Sequence, residues 1–343
     1  DEDALVTVIV QLYPQEQPSG FMGLFAQSDT DRHASVKDSI RTLVSGDQGG
    51  FLCFLSMQSE SDSIVELWDY YNVMDGFAVK VPASALADIQ ALPEVKNAFI
   101  EQAFSVEDAN GSAYGMGLAV QNDAPSALSA QEDTWVRNQA TLAMGNVDGV
   151  SETGAGQLIA VIDSSIQDSH VAFSGDMDDD SLAYTEEGMA AARSALSQGG
   201  QEARYVNEKI PFWYNYGQKT SAYSTPMASH GTHVAGIAAA NAGQTRGVAP
   251  GAQIAAMGVD TNGAIYESTL IAALDDCAVL APDVVNMSLG SDGGFSEAAS
   301  STYSDCLETL RSKGCTVCVS QGNAYTSMGA NGTISSSNPD YGI

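Results

Sequence analysis

The first hundred positions alternate between apolar and polar residues in a pattern that predicts a small α+β domain. Runs rich in Val and Ile predict strands, and apolar residues three and four apart predict two helices between them. The predicted strands cover residues 5–13, 63–68, 76–81 and 95–104, and the helices cover 34–44 and 83–92. This order is a split βαβ, or ferredoxin-like, arrangement. We expect residues 1–104 to form this domain and the Asn, Gly, Ser and Asp-rich residues 105–132 to be a linker and processing region.

From residue 133 onward short, continuous apolar runs alternate with helical segments. The runs at 158–162, 254–259, 284–287 and 316–320 predict buried strands, and residues 266–279 and 297–312 predict helices between them. This alternation predicts a doubly wound, mostly parallel α/β sheet over residues 133–343. Three predicted strands are followed by residues that packing alone does not explain: Asp163, then Ser288, Leu289 and Gly290, then Gly322 and Asn323. The carboxyl edge of the sheet is therefore the predicted site.

A segment rich in small apolar residues, 229–240, predicts a helix that is packed on all sides. His230 opens this helix, and His233 lies three residues later, where the two can share a face. One alternative for this pair is a zinc site. Against it, no third ligand lies at metal-ligand spacing, and Gly231 stands where the HExxH motif has Glu.

Composition narrows the class of protein and its partners. The formal net charge is −30, from 43 acidic and 13 basic residues, which excludes nucleic acid and anionic membrane surfaces as natural partners. No apolar run is long enough to insert in a membrane. Five cysteines are too few for a disulfide scaffold. We expect Cys315 and Cys318 to be buried thiols, whereas Cys277 and Cys306, on consecutive helices, could pair.

Acyl transfer requires a carboxylate, an imidazole, an oxyanion donor and a nucleophile. The chain offers Asp163, His230 and Asn323 for the first three. With the motifs around these residues, namely HGTHVAG at His230, NMSLG at 286–290 and Gly322-Asn323, the chain resembles the subtilisin-like serine proteases. The resemblance implies that Asp163 orients the imidazole, His230 is the general base and Asn323 lines the oxyanion hole. It also implies that Ser288, Leu289 and Gly290 bind the substrate backbone, and that residues 1–104 are an inhibitory propeptide.

Two departures from the family matter. Ser164-Ser165 follows Asp163 where the family has Gly in second place, and a residue with a Cβ there would alter the turn. The family's Gly-Thr-Ser-Met-Ala segment has no counterpart up to Ile343; Ser327 imitates it, but it is only a few residues past Asn323. The long insert between Asp163 and His230 resembles the lactocepin-type cell-envelope proteinases. We therefore expect a catalytic domain that is incomplete at its C-terminus, with the nucleophilic serine beyond Ile343, and an inactive 343-residue segment.

The sequence thus predicts a serine endopeptidase that is secreted or attached to the cell envelope. Its expected partners are protein or peptide substrates and its own propeptide. No cofactor is expected; the acidic run 178–180 has the hard oxygen ligands that calcium prefers, although a solvated loop explains it as well. The alternative is a non-catalytic relative, a pseudoprotease that keeps the fold and acts as a binding or regulatory protein.

Overall fold

The computed structural model describes residues 4–15, 28–47, 64–104, 153–222, 229–242, 246–290 and 295–320. Its N-terminal part consists of β1 (Leu5–Leu12), α1 (Asp29–Asp47), β2 (Val65–Tyr70), β3 (Gly76–Pro82), α2 (Leu86–Gln90), β4 (Val95–Ile100) and β5 (Ala103–Phe104). The first four strands form an antiparallel sheet in the order β2-β3-β1-β4. This confirms the predicted split βαβ domain. Its own core lies between the sheet and the two helices and includes Val8, Ile40, Phe77 and Ile89.

The second part of the chain is built on a parallel sheet. Its elements are β6 (Leu158–Asp163), α3 (Glu186–Arg193), β7 (Phe212–Asn215), α4 (Ser229–Ala239), β8 (Gln253–Gly258), β9 (Asp260–Thr261), β10 (Ala264–Tyr266), α5 (Glu267–Leu280), β11 (Val284–Met287), α6 (Glu297–Ser312) and β12 (Thr316–Val319). Five strands run parallel in the order β12-β11-β6-β8-β7, as the α/β prediction requires. Strand β6 is central, so Asp163, its last residue, lies in the middle of the carboxyl edge of the sheet.

Helices cover both faces of this sheet. Alternate strand residues such as Val161 and Ala256 pack with Ala235 and Ala239 of α4. Their neighbours, such as Ala160, pack in the core beneath α5. Side chains alternate between the two faces along a strand. Strand residues that pair with Val161 or Ala256 therefore have their side chains on the α4 face of the sheet. The same holds for the residues two positions after them.

The N-terminal sheet packs against α5 and α6, and the two parts share one core. Ile9, Tyr70 and Phe99 belong to the same buried cluster as Leu270 and Leu274 of α5. Strand β5 pairs antiparallel with β10, which lies immediately before α5. Helix α5 is covered from both sides as a result, and all its residues except Val279 are buried.

Two expectations about side-chain environment are wrong, and one open alternative is decided. Helix α4 is not packed on all sides, since Ile237 is 52% exposed and His233 is also exposed, because the parallel sheet covers only one face of it. Cys318 is exposed because it lies on the edge strand β12. Cys277 and Cys306 are free, buried thiols and do not pair, and burial raises the pKa of both thiols, which keeps them protonated.

Candidate active site

Asp163 and His230 meet at the carboxyl edge of the parallel sheet. Asp163 is the last residue of β6 and is 1% exposed. Its Oδ1 lies 2.8 Å from His230 Nδ1 and accepts a second hydrogen bond from the backbone N–H of Ser164 at 2.7 Å. The structure therefore brings together two of the three residues that the sequence proposes for acyl-transfer chemistry.

A glycine lets the helix that carries His230 approach Asp163. A Cβ on Gly231 would lie 2.2 Å from the carbonyl oxygen of Ser165 and 3.0 Å from Asp163 Oδ1. The Gly231 N–H donates to Ser164 Oγ at 3.2 Å, which fixes the first turn of α4 against the end of β6. Any larger residue at 231 would push the imidazole away from the carboxylate.

The turn after Asp163 keeps a glycine-like backbone although its residue is serine. Ser165 has φ = 126°, a conformation that residues with a Cβ rarely adopt. Serine in this conformation stores local strain that glycine would not. Ser165 lies beside the carboxylate, where strained residues commonly cluster in active sites.

The segment proposed to bind substrate follows β11 on the other side of Asp163. Met287 pairs with Ile162, so Ser288 is next to Asp163 along the sheet edge. Ser288 Oγ accepts a hydrogen bond from Asn286 Nδ2 at 3.0 Å, and Ser320 Oγ donates to the Leu289 carbonyl at 3.3 Å. The Leu289 side chain is buried in the core. Asn323 and Ser327 lie outside the described residues.

The geometry of the pair decides what it can do chemically. A carboxylate facing Nδ1 holds that nitrogen protonated, so the lone pair is placed on Nε2, where the imidazole can accept a proton. The Asp163 side chain is 1% exposed and that of His230 is 18% exposed, so the carboxylate is shielded from water while the base faces outward. A buried carboxylate that contacts a partly exposed imidazole is an arrangement suited to general-base catalysis.

The region that carries Asp163 and His230 matches a known protein family. The model of the subtilase family matches residues 154–340, more than half of the chain. The chain belongs to the subtilase family. Its α/β fold with a parallel sheet is also that of fervidolysin from Fervidobacterium pennivorans, a keratinolytic enzyme related to subtilisin. That structure superimposes with a TM-score of 0.51 at 14% identity, covering 92% of this chain and 39% of the other.

Relatives of known sequence support the subtilase assignment and the predicted likeness to lactocepin-type proteinases. The PI-type proteinase of Lactococcus lactis subsp. cremoris is 34% identical over 218 residues, 58% of this chain. The Minor extracellular protease Vpr of Bacillus subtilis is 25% identical over 260 residues. The matched parts are 11% and 27% of those relatives, so this chain spans only a small part of the length of each.

Other predicted sites have ordinary structural roles. Among the described residues, no group of three or more His, Cys, Asp or Glu side chains is placed to hold a metal ion. His230 Nδ1 faces Asp163 Oδ1, and His233 is exposed to solvent. In the acidic run, the Asp178 carboxylate accepts a hydrogen bond from the Asp180 N–H at 3.3 Å. Within the same described ranges, no helix has the length and apolar character to span a membrane.

Sequence reasoning missed several residues of structural importance. The sequence analysis places no strand at β7, so it does not bring Asn215 near Asp163. Asn215 pairs with Gly258, which in turn pairs with Asp163. The available signal is that Asn215 directly follows the apolar residues 212–214, as Asp163 directly follows the apolar residues 158–162. Asp275 within α5 was missed as well, because nothing local shows that an acidic residue in a helix is covered by a second domain.

Proposed function

We propose that the chain provides the catalytic carboxylate and base of a serine endopeptidase that hydrolyses protein substrates through an acyl-enzyme. The observation that carries this proposal is the 2.8 Å contact between Asp163 Oδ1 and His230 Nδ1 at the sheet edge of a subtilase. Asp163 orients the imidazole, and His230 takes the proton of the nucleophile and returns it to the leaving amine. Asn323 donates to the oxyanion, and Ser288, Leu289 and Gly290 hold the substrate backbone.

The nucleophile is proposed to come from outside the 343 residues. A Gly-Thr-Ser-Met-Ala segment is absent from the printed sequence, and the long insert before His230 supports a lactocepin-type arrangement. The segment alone is then expected to be inactive, because removing one member of a catalytic triad leaves only the residual rate from binding and oxyanion donors.

Residues 1–104 are proposed to be an inhibitory propeptide, 105–132 the processing region and 133–343 the catalytic domain. The support is the extensive junction between the parts: the shared core of the N-terminal sheet with α5, and the pairing of β5 with β10. Separately expressed residues 1–104 should inhibit the mature enzyme when added in trans. Absence of inhibition would reduce this domain to a folding aid.

An extracellular or cell-envelope location is proposed on two grounds. One relative is named an extracellular protease, and the net charge of −30 suits solubility outside cells. The same charge disfavours nucleic acid as a partner.

The experiment that tests the function is hydrolysis of a denatured protein substrate by the full-length gene product and by its His230→Ala variant. The native protein should cleave internal peptide bonds, and the variant should lose nearly all of this activity at unchanged folding. A folded full-length protein without endopeptidase activity would favour the alternative, a non-catalytic subtilase that acts by binding.

A further inference from the structure

Asp163, Gly258 and Asn215 form one row across the carboxyl edge of the sheet. Asp163 pairs with Gly258, and Gly258 pairs with Asn215. The residues two positions earlier, Val161, Ala256 and Trp213, all pack in the core beneath α4. Side chains of Asp163 and Asn215 therefore point to the face of the sheet that carries His230. Gly258 contributes no side chain between them.

Both ends of this row bury a polar atom that lacks a partner among the described residues. Asp163 Oδ2 and Asn215 Nδ2 are each buried without a hydrogen bond there. The residues are 1% and 0% exposed. A buried polar atom without a partner costs about 1–3 kcal/mol, so native proteins usually satisfy such atoms with protein groups or ordered water. Here the two atoms are complementary, one an acceptor and the other a donor.

The orientation of the Asn215 amide is fixed by its surroundings. Its Oδ1 accepts the backbone N–H of Gln218 at 2.9 Å, so the opposite end of the amide must be the NH₂ group. A Cβ placed on Gly258 would lie 2.9 Å from Nδ2 and 3.1 Å from the Cβ of Ser165. The amide thus leans over Gly258, on the side of the row where Asp163 lies.

Strand spacing gives the separation of the two residues. Two strand spacings place the Cα atoms of Asp163 and Asn215 about 10 Å apart. Asn215 Nδ2 and Asp163 Oδ2 make no direct hydrogen bond to each other. A buried water molecule bridges a donor and an acceptor that do not meet directly.

We propose that Asn215 is a positioning residue that holds the Asp163 carboxylate toward His230 through a buried water above Gly258. The Nδ2–H donates to the water, and the water donates to Oδ2, so that Oδ1 stays directed at His230 Nδ1. This inference rests on the proposed function for its catalytic consequence, but its structural part concerns only the 343 residues. Asn215 touches no reacting atom in this scheme.

The first test is NMR of the isotope-labelled 343-residue chain. The native chain should show a downfield Nδ1–H resonance of His230, hydrogen-bonded to Asp163. In Asn215→Leu, which keeps the shape and removes the donor, we expect this resonance to move upfield and to exchange with water several-fold faster. Asn215→Ala serves as a second variant if Leu impairs folding, which thermal melting reports.

The matched control is Asn241→Leu. Asn241 is a partly buried amide with fixed partners, since its Oδ1 accepts the Gly175 N–H at 3.2 Å and its Nδ2 donates to the Gly175 carbonyl at 2.9 Å. It lies beyond the far end of α4, so its loss should lower stability and leave the His230 resonance unchanged. In the full-length enzyme, Asn215→Leu should lower kcat about tenfold with KM unchanged, and Asn241→Leu should leave kcat unchanged.

The outcomes separate the two proposals. A native resonance that is the same in both Asn215 variants overturns the positioning role and leaves the proposed function intact. A native chain without an Asp163-bonded imidazole proton contradicts both. An upfield shift in the Asn215 variants alone, with a loss in kcat, supports the inference.

Discussion

Asp163 and Asp275 are both almost fully buried carboxylates, yet they differ in the number and kind of hydrogen bonds that they accept. Asp275 Oδ1 accepts the backbone N–H groups of Tyr71, Asn72 and Val73 from the N-terminal domain. Its Oδ2 accepts side-chain donors of Asn72, Ser197 and Gln198. Asp163 has His230 and one backbone N–H on Oδ1, and no partner for Oδ2 among the described residues.

The difference shows how one residue type is used in two ways. A carboxylate that accepts six hydrogen bonds is locked in place and joins the elements that donate them. A carboxylate bonded chiefly to one imidazole directs that imidazole. Asp275 therefore connects residues 71–73 of the N-terminal part to helix α5. Asp163 is the orienting group of the proposed site.

Asp163→Asn should affect activity and leave stability nearly unchanged. An amide at 163 can hold the wrong tautomer of His230, so kcat of the full-length enzyme should fall by about 10⁴-fold. The same variant should unfold within about 1 kcal/mol of the native protein. Steady-state kinetics and urea unfolding measure the two quantities. Retention of a tenth or more of the native kcat would refute the orienting role.

Asp275→Ala should show the opposite behaviour. Removing the carboxylate leaves three backbone N–H groups of the 71–73 loop, one of them fully buried, without an acceptor, so the free energy of unfolding should fall by about 3–5 kcal/mol. Urea unfolding of the 343-residue chain measures this. Asp283→Ala is the matched control, since the Asp283 carboxylate accepts one backbone N–H, that of Leu158, at 2.8 Å. An equal loss in the free energy of unfolding in both variants would show that Asp275 contributes no more to stability than a carboxylate with one backbone donor.

The junction between the domains should weaken as pH rises from 5 to 7. Burial raises the pKa of Glu267 to about 7 and that of Asp276 to about 6. For both carboxyl groups the pKa in the folded state exceeds that in the unfolded state. The contribution of each protonated group to stability is therefore full below about pH 4.5 and is lost as the pH rises through the folded-state pKa. For Glu267 this amounts to about 2 kcal/mol between pH 5 and 7.

The control for this pH dependence is Glu267→Gln, which cannot ionise. Its free energy of unfolding should fall less between pH 5 and 7 than that of the native chain, by about 2 kcal/mol. Urea unfolding at the two pH values provides the comparison. Parallel pH profiles for the two proteins would mean that Glu267 is ionised in the folded state at pH 5.

Ser165→Gly should stabilise the chain by about 1 kcal/mol, the smallest of the four effects. Glycine adopts φ = 126° without strain, whereas serine does not. Ser164→Gly is the neighbouring control and should destabilise, because it removes the Oγ that accepts the Gly231 N–H. A loss of stability in Ser165→Gly would show that contacts of the serine side chain stabilise the protein by more than the backbone strain at this residue costs.

The two regions also differ in how far the sequence could predict them. Strand β6 is a continuous apolar run that ends at Asp163, and the HGTHVAG segment marks His230, so their meeting at the sheet edge followed from topology. Asp275 and Asp276 lie within a helix, and local pattern alone would place them on its solvent face. Asp275 is covered by residues 71–73 of the N-terminal part. Asp276 is covered by residues 197–200 and Tyr216. Both environments are tertiary and cannot be predicted from local pattern. Strand β7 is absent from the sequence prediction because it has only four residues, too few for a clear periodicity.

The most direct measurement is covalent labelling of the full-length gene product by a fluorophosphonate, followed by peptide mapping. We expect one labelled serine, outside the 343 residues, and loss of labelling in His230→Ala, because the base that activates the serine is absent. Labelling at the same rate in His230→Ala, or a folded native protein that takes no label, would contradict the claim that Asp163 and His230 serve a nucleophilic serine.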